Sequence, residues 1–340
     1  MTNTSALRVN AHDLAWRLTD ASLRASLDRL DPLTRRACGY HLGYWDADGS
    51  PGVRIGKGVR STLALLSAKA AGVPAERAVP AAAACELVHN FSLVHDDVMD
   101  RDRERRHQPT VWAAFGTSQA ILAGDALLAL ANELLSEALS PTVGWALRCL
   151  NATTRRLIAG QAADLAFETR NDVSLAECLA MIGDKTGALL ACSASLGAVL
   201  VDAPAKLALG LADYGMHLGM AFQLTDDLLG IWGDPARTGK SVWSDLRARK
   251  KSVPVVAALE SDDSAARELG ALYHSGHELA EAELQRAAAL VEEAGGRAWT
   301  QAEADLESVA AVNALADLDL PHGVRQELVS LTELLSRRDH

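Results

Sequence analysis

Residues 93–107 read LVHDDVMDRDRERRH: two adjacent aspartates, a third one turn later, then a run of arginines. On a helix Asp96 and Asp100 are four apart and share a face, with Asp97 beside them. Two unit charges ~5 Å apart repel by about 3 kcal/mol at an effective dielectric of 20. Something positive must offset that, and carboxylate oxygens are the ligands a hard divalent ion such as Mg²⁺ selects. A second acidic pair, Asp226 and Asp227, ends another apolar run, MAFQLTDDLLGIWGD. Two aspartate groups that each close an uncharged helix predict a cavity approached from opposite walls. Mg²⁺ keeps several waters and bridges carboxylates to substrate phosphates, so a phosphate-rich substrate is expected there. The pair in SDDS, residues 261–264, has no apolar helix around it and reads as a loop.

The cations complete that chemistry. Arg105 and Arg106 follow the first acidic group, and Lys185 precedes Thr186 inside a mid-chain helix. Lys240 and Lys250 lie in TGKSVWSDLRARKKS, and IGKGVRS offers Lys57 and Arg60 in a Gly-flanked turn entering a helix, a ready anion position. His89 sits two turns before Asp96 on the same face. Singly, each would be a solvated charge or a complement to a helix dipole. Together they predict two anion sites, one metal-bridged and one purely cationic. A protein with two phosphate sites and an apolar cavity is expected to join two lipid-like phosphates.

The elements that must carry these residues read as helices. Aromatics are 4%, and apolar residues recur at three and four in STLALLSAKAAG, AILAGDALLALANELLSEAL and LAECLAMIGDKTGALLACSASLGAVL. Breaks fall at 43–56, 71–80, 140–144, 201–206 and 230–244, each rich in Gly, Pro or Asp. The expectation is one all-α domain over 1–340, with a long ordered loop near 230–254. With 49% hydrophobic residues the 340-residue chain can build a large core. The net charge of −11 and the lack of an uncompensated basic cluster exclude nucleic acid as a partner. Five scattered cysteines without a CxxC pair read as reduced thiols of a cytoplasmic protein. The uncharged apolar run 186–201 is too short to span a bilayer, and the N-terminus lacks the unbroken apolar stretch of a signal peptide.

Over roughly 50–260 the chain resembles the trans-type polyprenyl diphosphate synthases, the short-chain isoprenyl enzymes. GKGVR resembles the family's GKxxR segment, LVHDDVMD its first aspartate-rich motif and RRHQPTVW the RRGxPT continuation. KTG resembles its helix lysine, and FQLTDDLLGIWGD with GKSVWSDLRARKKSVP its second motif and following loop. The resemblance implies the class I terpenoid synthase fold, a helical bundle around a central cavity, and a homodimer. It implies that Asp96, Asp97, Asp100, Asp226 and Asp227 hold several Mg²⁺ ions, or Mn²⁺, against an allylic diphosphate. Arg105, Lys185, Lys240 and Lys250 would grip that diphosphate, and Lys57, Arg60, His89 and Arg106 would bind isopentenyl diphosphate. Thr186 and Gln223 would turn dipoles toward the allylic cation formed on ionisation.

Four positions depart from the family pattern. Gly230 stands where the second motif often has its last Asp, Ser61 replaces a Pro, His107 replaces a Gly, and Trp243 replaces a Gly in the loop. A terpene cyclase or specialised prenyltransferase on the same scaffold, and a regulatory subunit of a heteromeric synthase, are the alternatives these departures leave. Presence of both anion sites favours a working head-to-tail synthase. For product length, Phe91 lies five residues before Asp96 and next to the small Ser92. The resemblance makes Phe91 the floor of the chain tunnel and geranylgeranyl diphosphate the expected product, with farnesyl diphosphate second.

Overall fold

The computed structural model describes residues 17–52, 58–106, 108–234, 242–261 and 263–336. The chain divides into two compact units, and most helices belong to one or the other. The first unit takes residues up to 154, 189–212 and 317–328; the second takes 155–188, 213–316 and 329 onward.

In the first unit, helix α1 covers 17–27, α2 runs Pro32–His41, α3 Val59–Ala70 and α4 Val79–Met99. Asp31 caps α2 by accepting from the backbone N–H of Leu33 and Thr34, and Pro32 starts the helix where its missing N–H is harmless. The break expected at 71–80 ends in a short 3₁₀ turn, Ala75–Ala78, from which α4 leaves directly. Ala81, Ala82, Ala83 and Ala84 are all fully buried, and their small size lets neighbouring helices approach α4 closely. Helices α5 (Val111–Phe115) and α6 (Thr117–Ser136) follow a short hairpin, and α6 packs along α4. Gly124 of α6 makes room for the His95 ring, since a Cβ there would lie 2.1 Å from its Nε2.

Helix α7 (Val143–Glu168) begins in the first unit and ends in the second. In the second unit the long apolar run after Ser174 is not one regular helix. Helix α8 (Leu175–Ile182) starts with a capping box between Ser174 and Glu177. A π turn, Gly183–Gly187, then inserts before α9 (Ala188–Leu200), most of which belongs to the first unit. Periodicity alone hides that wide turn, because the apolar pattern resumes beyond it. Helix α10 (Ala205–Trp232) carries the second acidic pair and extends past Gly230, so the break expected from 230 begins after Trp232. Within the expected loop the described residues form one helical turn, Ser244–Arg247, before the helix Val253–Leu259. The remaining helices are Ser264–Tyr273, Glu281–Glu293, Gly296–Ala314 and His322–Ser336. Asp263, read as part of a loop, is the N-cap of the first of these and accepts from the Ala266 N–H. Phe167, Met181, Leu224, Val253 and Val256 pack into one core of the second unit.

All five cysteines are free thiols, four of them buried and Cys149 partly so. Among the described residues no helix is long and apolar enough to cross a membrane.

Candidate functional site

The first acidic group sits where α4 ends. Met99 is the last helical residue, Asp100 is the cap, and its N–H still bonds the Asp96 carbonyl at 2.8 Å. Arg101 then adopts φ 58°, and the Asp102 N–H reaches back to the Asp97 carbonyl at 3.0 Å. This is a Schellman-type stop built on arginine rather than the glycine that makes such a turn unstrained. The chain returns as a two-stranded hairpin, β1 (Glu104–Arg105) and β2 (Gln108–Pro109), with Arg105 opposite Gln108. Arg106, directly after β1, takes φ 54°, the sign that tight hairpins favour. The Asp102 carbonyl accepts from Thr110 Oγ1 at 2.8 Å and Trp112 Nε1 at 2.7 Å, and Tyr40 donates to the Pro109 carbonyl at 2.6 Å. These contacts fix the hairpin, and with it Arg105, against the end of α4.

Asp97 is 1% exposed and its Oδ1 receives Arg105 Nε at 2.8 Å and Nη2 at 2.7 Å. Burial raises the Asp97 pKa, and the Arg105 guanidinium only partly opposes it. Its Oδ2 is buried with no hydrogen-bond partner. A buried carboxylate oxygen without a donor is a deficit that a cation relieves. Asp96 is half-buried and Asp100 exposed, so the three carboxylates grade from interior to solvent over one turn.

Among the described residues of this unit, Arg60, Arg105 and Arg106 act on His89, and one further histidine joins them. Burial and then the charges of Arg60, Arg106 and Arg105 hold His89 well below the usual histidine range. The same arginines act on His41, the last residue of α2, which sequence reading missed. Burial first, then Arg105 and Arg106, push His41 down to about 3, while Asn90 hydrogen-bonds its ring. Two further donors or acceptors here are buried without a partner, Nε of Arg60 and Nε2 of His41. Such groups are rare enough to call for a ligand. Glu86, 8% exposed, accepts from both the N–H and the hydroxyl of Ser61 at 3.0 and 2.9 Å. That explains one departure, since a proline at 61 has no N–H to give Glu86. Phe91 is 6% exposed and meets His95 edge-on at 5.2 Å, so its ring is held by its own helix.

In the second unit α10 presents Gln223, Asp226 and Asp227. Thr186 Oγ1 donates to Gln223 Oε1 at 2.8 Å, and Gln223 Nε2 donates to Asp227 Oδ1 at 2.9 Å. The Val253 N–H completes the chain on Asp227 Oδ2 at 3.1 Å. Thr186 and Gln223, expected to aim their dipoles at a substrate, are therefore engaged with each other and with Asp227. Burial pushes the Asp227 pKa up to about 6 against the opposing charge of Lys250. Burial alone would lower the Lys250 ammonium, but Asp245, Asp227, Asp164 and Asp226 outweigh it and hold its pKa above the ordinary value. Lys185 Nζ bonds Asp164 Oδ2 at 2.5 Å. Asp164 and Asp245 were both missed in the sequence. Asp164 had a signal, since it stands alone in the uncharged run LIAGQAADLAF, as the aspartate pairs stand in theirs.

Gly230 has a clear reason to be glycine. A Cβ there would lie 2.3 Å from Oδ2 of Asp245, so the Asp245 carboxylate fills the space over the Gly230 backbone. Trp243, another departure, takes φ 58° and caps the turn that carries Asp245. Among the described residues the non-glycine positions with positive φ are Arg101, Arg106, Asp202, Trp243 and Arg249. All but Asp202 adjoin or belong to the charged groups above, where strained backbone is most often kept for function. Lys57, His107 and Lys240 lie outside the described residues. Among the described residues no three His, Cys, Asp or Glu side chains converge so as to hold a metal ion. An ion placed there would need ligands from water or substrate as well.

The polyprenyl synthetase family profile matches residues 53–291. A (2E,6E)-farnesyl diphosphate synthase of Mycobacterium tuberculosis is 49% identical over 329 residues, covering 96% of this chain and 92% of the relative. A geranylgeranyl diphosphate synthase of the same organism is 43% identical over 319 residues, covering 93% and 89%. The crystal structure of a polyprenyl synthetase from Streptomyces coelicolor superposes with a TM-score of 0.92 at 49% identity, covering 96% of this chain and 99% of the other. The helices, the paired acidic groups and these likenesses agree: the chain belongs to the polyprenyl synthetase family and is a trans-type prenyl diphosphate synthase, a prenyltransferase.

Proposed function

We propose that the whole chain acts as one catalytic domain that condenses isopentenyl diphosphate head to tail with an allylic diphosphate. The observation that carries this reading is the buried Asp97–Arg105 pair beside the cluster of Arg60, His89, Arg105 and Arg106. One acidic group and one separate cationic pocket are what two different diphosphates require. The donor set suits Mg²⁺, with Mn²⁺ as a substitute: hard carboxylates, one of them with an oxygen lacking a donor. Asp96, Asp97, Asp100, Asp226 and Asp227 would hold several such ions, whose charge makes the diphosphate a better leaving group.

Arg105, Lys185, Lys240 and Lys250 bind the allylic diphosphate and spread the charge it gains as its carbon–oxygen bond breaks. Lys57, Arg60, His89 and Arg106 seat isopentenyl diphosphate with its double bond toward the allylic carbon. A neutral His89 donates a hydrogen bond without adding a further buried charge. The Thr186–Gln223–Asp227 chain fixes the Gln223 amide, so that Thr186 and Gln223 would act on the developing cation as one held pair of dipoles. The released diphosphate is the base for the last proton.

Ser92 beside Phe91 leaves room that points to geranylgeranyl diphosphate as product. Farnesyl diphosphate is the second reading, favoured by the 49% relative that bears that name. Exposed Ile121 and Leu122 on α6 and Trp145 on α7 suit burial against a second copy in a homodimer, which light scattering tests. The free thiols fit a cytoplasmic enzyme. Mass analysis of the products from isopentenyl diphosphate with dimethylallyl, geranyl or farnesyl diphosphate tests the reading. Chains of fifteen to twenty carbons support it; a cyclised hydrocarbon from a single diphosphate sinks it.

A further inference from the structure

One face of α7 grips the π turn at three points spaced four residues apart. Arg156 Nε bonds Asp184 Oδ1 at 2.7 Å. One turn on, Gly160 lets the backbone pass so closely that a Cβ would sit 2.4 Å from the Lys185 nitrogen. A further turn on, Asp164 takes the Lys185 ammonium at 2.5 Å. Residues 156, 160 and 164 lie on one stripe of a helix. The segment they grip is the irregular turn whose register decides where Lys185 and Thr186 point, and π turns of this kind recur at functional sites.

We propose that Asp164 is a positioning residue, which with Gly160 and Arg156 fixes the π turn and aims the Lys185 ammonium at the diphosphate. The carboxylate is half-buried, with a side chain 16% exposed against 21% for Lys185. It does not serve only as a surface ion pair, because Lys250 also acts on it. Burial would raise the Asp164 pKa, yet the charges of Lys250 and Lys185 and the Lys185 hydrogen bond bring it below its ordinary value. Asp164 therefore stands between the field of two lysines that the proposed reaction uses, and the inference rests on that reading.

Two effects separate when the charge is removed. Taking a negative charge from beside an anion site strengthens the local positive field, so diphosphate binding should hold or tighten. Freeing Lys185 from its partner lowers its share of transition-state stabilisation, so turnover should fall. Asp164→Asn is thus expected to lower kcat by about tenfold, the worth of one charge-assisted hydrogen bond in position. Its KM for either substrate should stay within about twofold or fall, and Asp164→Glu should recover most of the loss. A purely structural ion pair would instead lower the melting temperature and move both KM values, with no advantage to Glu. Where Asp164→Asn does not fold, Gly160→Ala keeps every charge but displaces the π turn, and the same kcat loss is expected.

A readout free of turnover is the ¹³C signal of reductively methylated Lys185, assigned with Lys185→Arg. In Asp164→Asn that signal should shift and sharpen as the ammonium is released. An unchanged signal, or a kcat within twofold of wild type in a folded variant, overturns the proposal. A wild-type protein that incorporates no isopentenyl diphosphate overturns the functional reading instead, and the Lys185 signal still decides on Asp164.

Discussion

Asp97 and Asp227 are each the second member of an adjacent pair, and each is almost fully buried, at 1% and 3% exposure. Their surroundings are opposite in kind. Asp97 is held by a cation, with both Arg105 contacts falling on one oxygen and the other oxygen left without a donor. Asp227 is held by uncharged donors on both oxygens, Gln223 on one and the Val253 N–H on the other. The second arrangement also caps the helix Val253–Leu259, whose N-cap Ser252 offers no side-chain bond of its own. Two copies of one sequence signal thus carry different loads. Asp97 is placed to meet an incoming charge, whereas Asp227 also ties α10 to the next helix.

The largest effect that sharpens this contrast is on turnover. Asp97→Ala should lower kcat by about a thousandfold or more, the scale seen when a preorganised electrostatic contact is lost. Its thermal stability should change less than that of Asp227→Ala. Chelating the divalent metal should match the loss, and activity surviving in EDTA would break the contrast. Asp227→Ala leaves the Val253 N–H and the Gln223 amide without acceptors, a destabilisation of about 2–3 kcal/mol. Urea unfolding would show it, whereas Asp226→Ala, at the more accessible neighbour, should lose turnover with little change in midpoint.

Next in size, Arg60→Ala should raise the KM for isopentenyl diphosphate about tenfold. The allylic KM should stay near its wild-type value, and the reverse pattern would exchange the two anion sites. Gly230→Asp restores the family's usual residue but drives a side chain into the Asp245 carboxylate, with an expected loss of about 1–3 kcal/mol. A wild-type midpoint in that variant would show that Asp245 moves aside freely.

The smallest effect concerns pH. His41 has its pKa depressed to about 3, below the 6.5 of an ordinary histidine. Its contribution to stability is therefore present above pH 6.5 and is lost as pH falls through that window toward 3. Replacing His41 by Gln should flatten the melting-temperature profile across pH 6.5 to 4, by up to one proton in slope. An identical profile would place His41 in contact with solvent.

The all-helical class was legible in the sequence because its periods of three and four run nearly unbroken, and both acidic pairs stand out against the uncharged stretches just before them. The π turn was not, since the apolar pattern resumes at Ala188 and the polar stretch Gly183–Gly187 reads as one exposed turn of a continuous helix. Grouping of Lys57, Arg60, His89 and Arg106 came from the resemblance alone; in the structure the charges of Arg60, Arg106 and Arg105 act on His89, and Lys57 lies outside the described residues. His41 escaped notice because it is one histidine in an ordinary helix end, and only its burial and the charges of Arg105 and Arg106 give it meaning. Asp245 was hidden for a related reason. Its importance lies in filling space over a glycine fifteen residues earlier, which no local pattern records. Gly230 and Ser61, which looked like losses in the linear motif, turn out to be matched by Asp245 and Glu86 in space.

One measurement tests the central claim most directly: the time course of acid-labile label from radioactive isopentenyl diphosphate with geranyl diphosphate, run with Mg²⁺ and with EDTA. Metal-dependent prenyl transfer predicts label that accumulates only with Mg²⁺, in chains of fifteen and twenty carbons, and that vanishes in Asp97→Ala. Equal incorporation in EDTA, or a wild-type rate in Asp97→Ala, would contradict it.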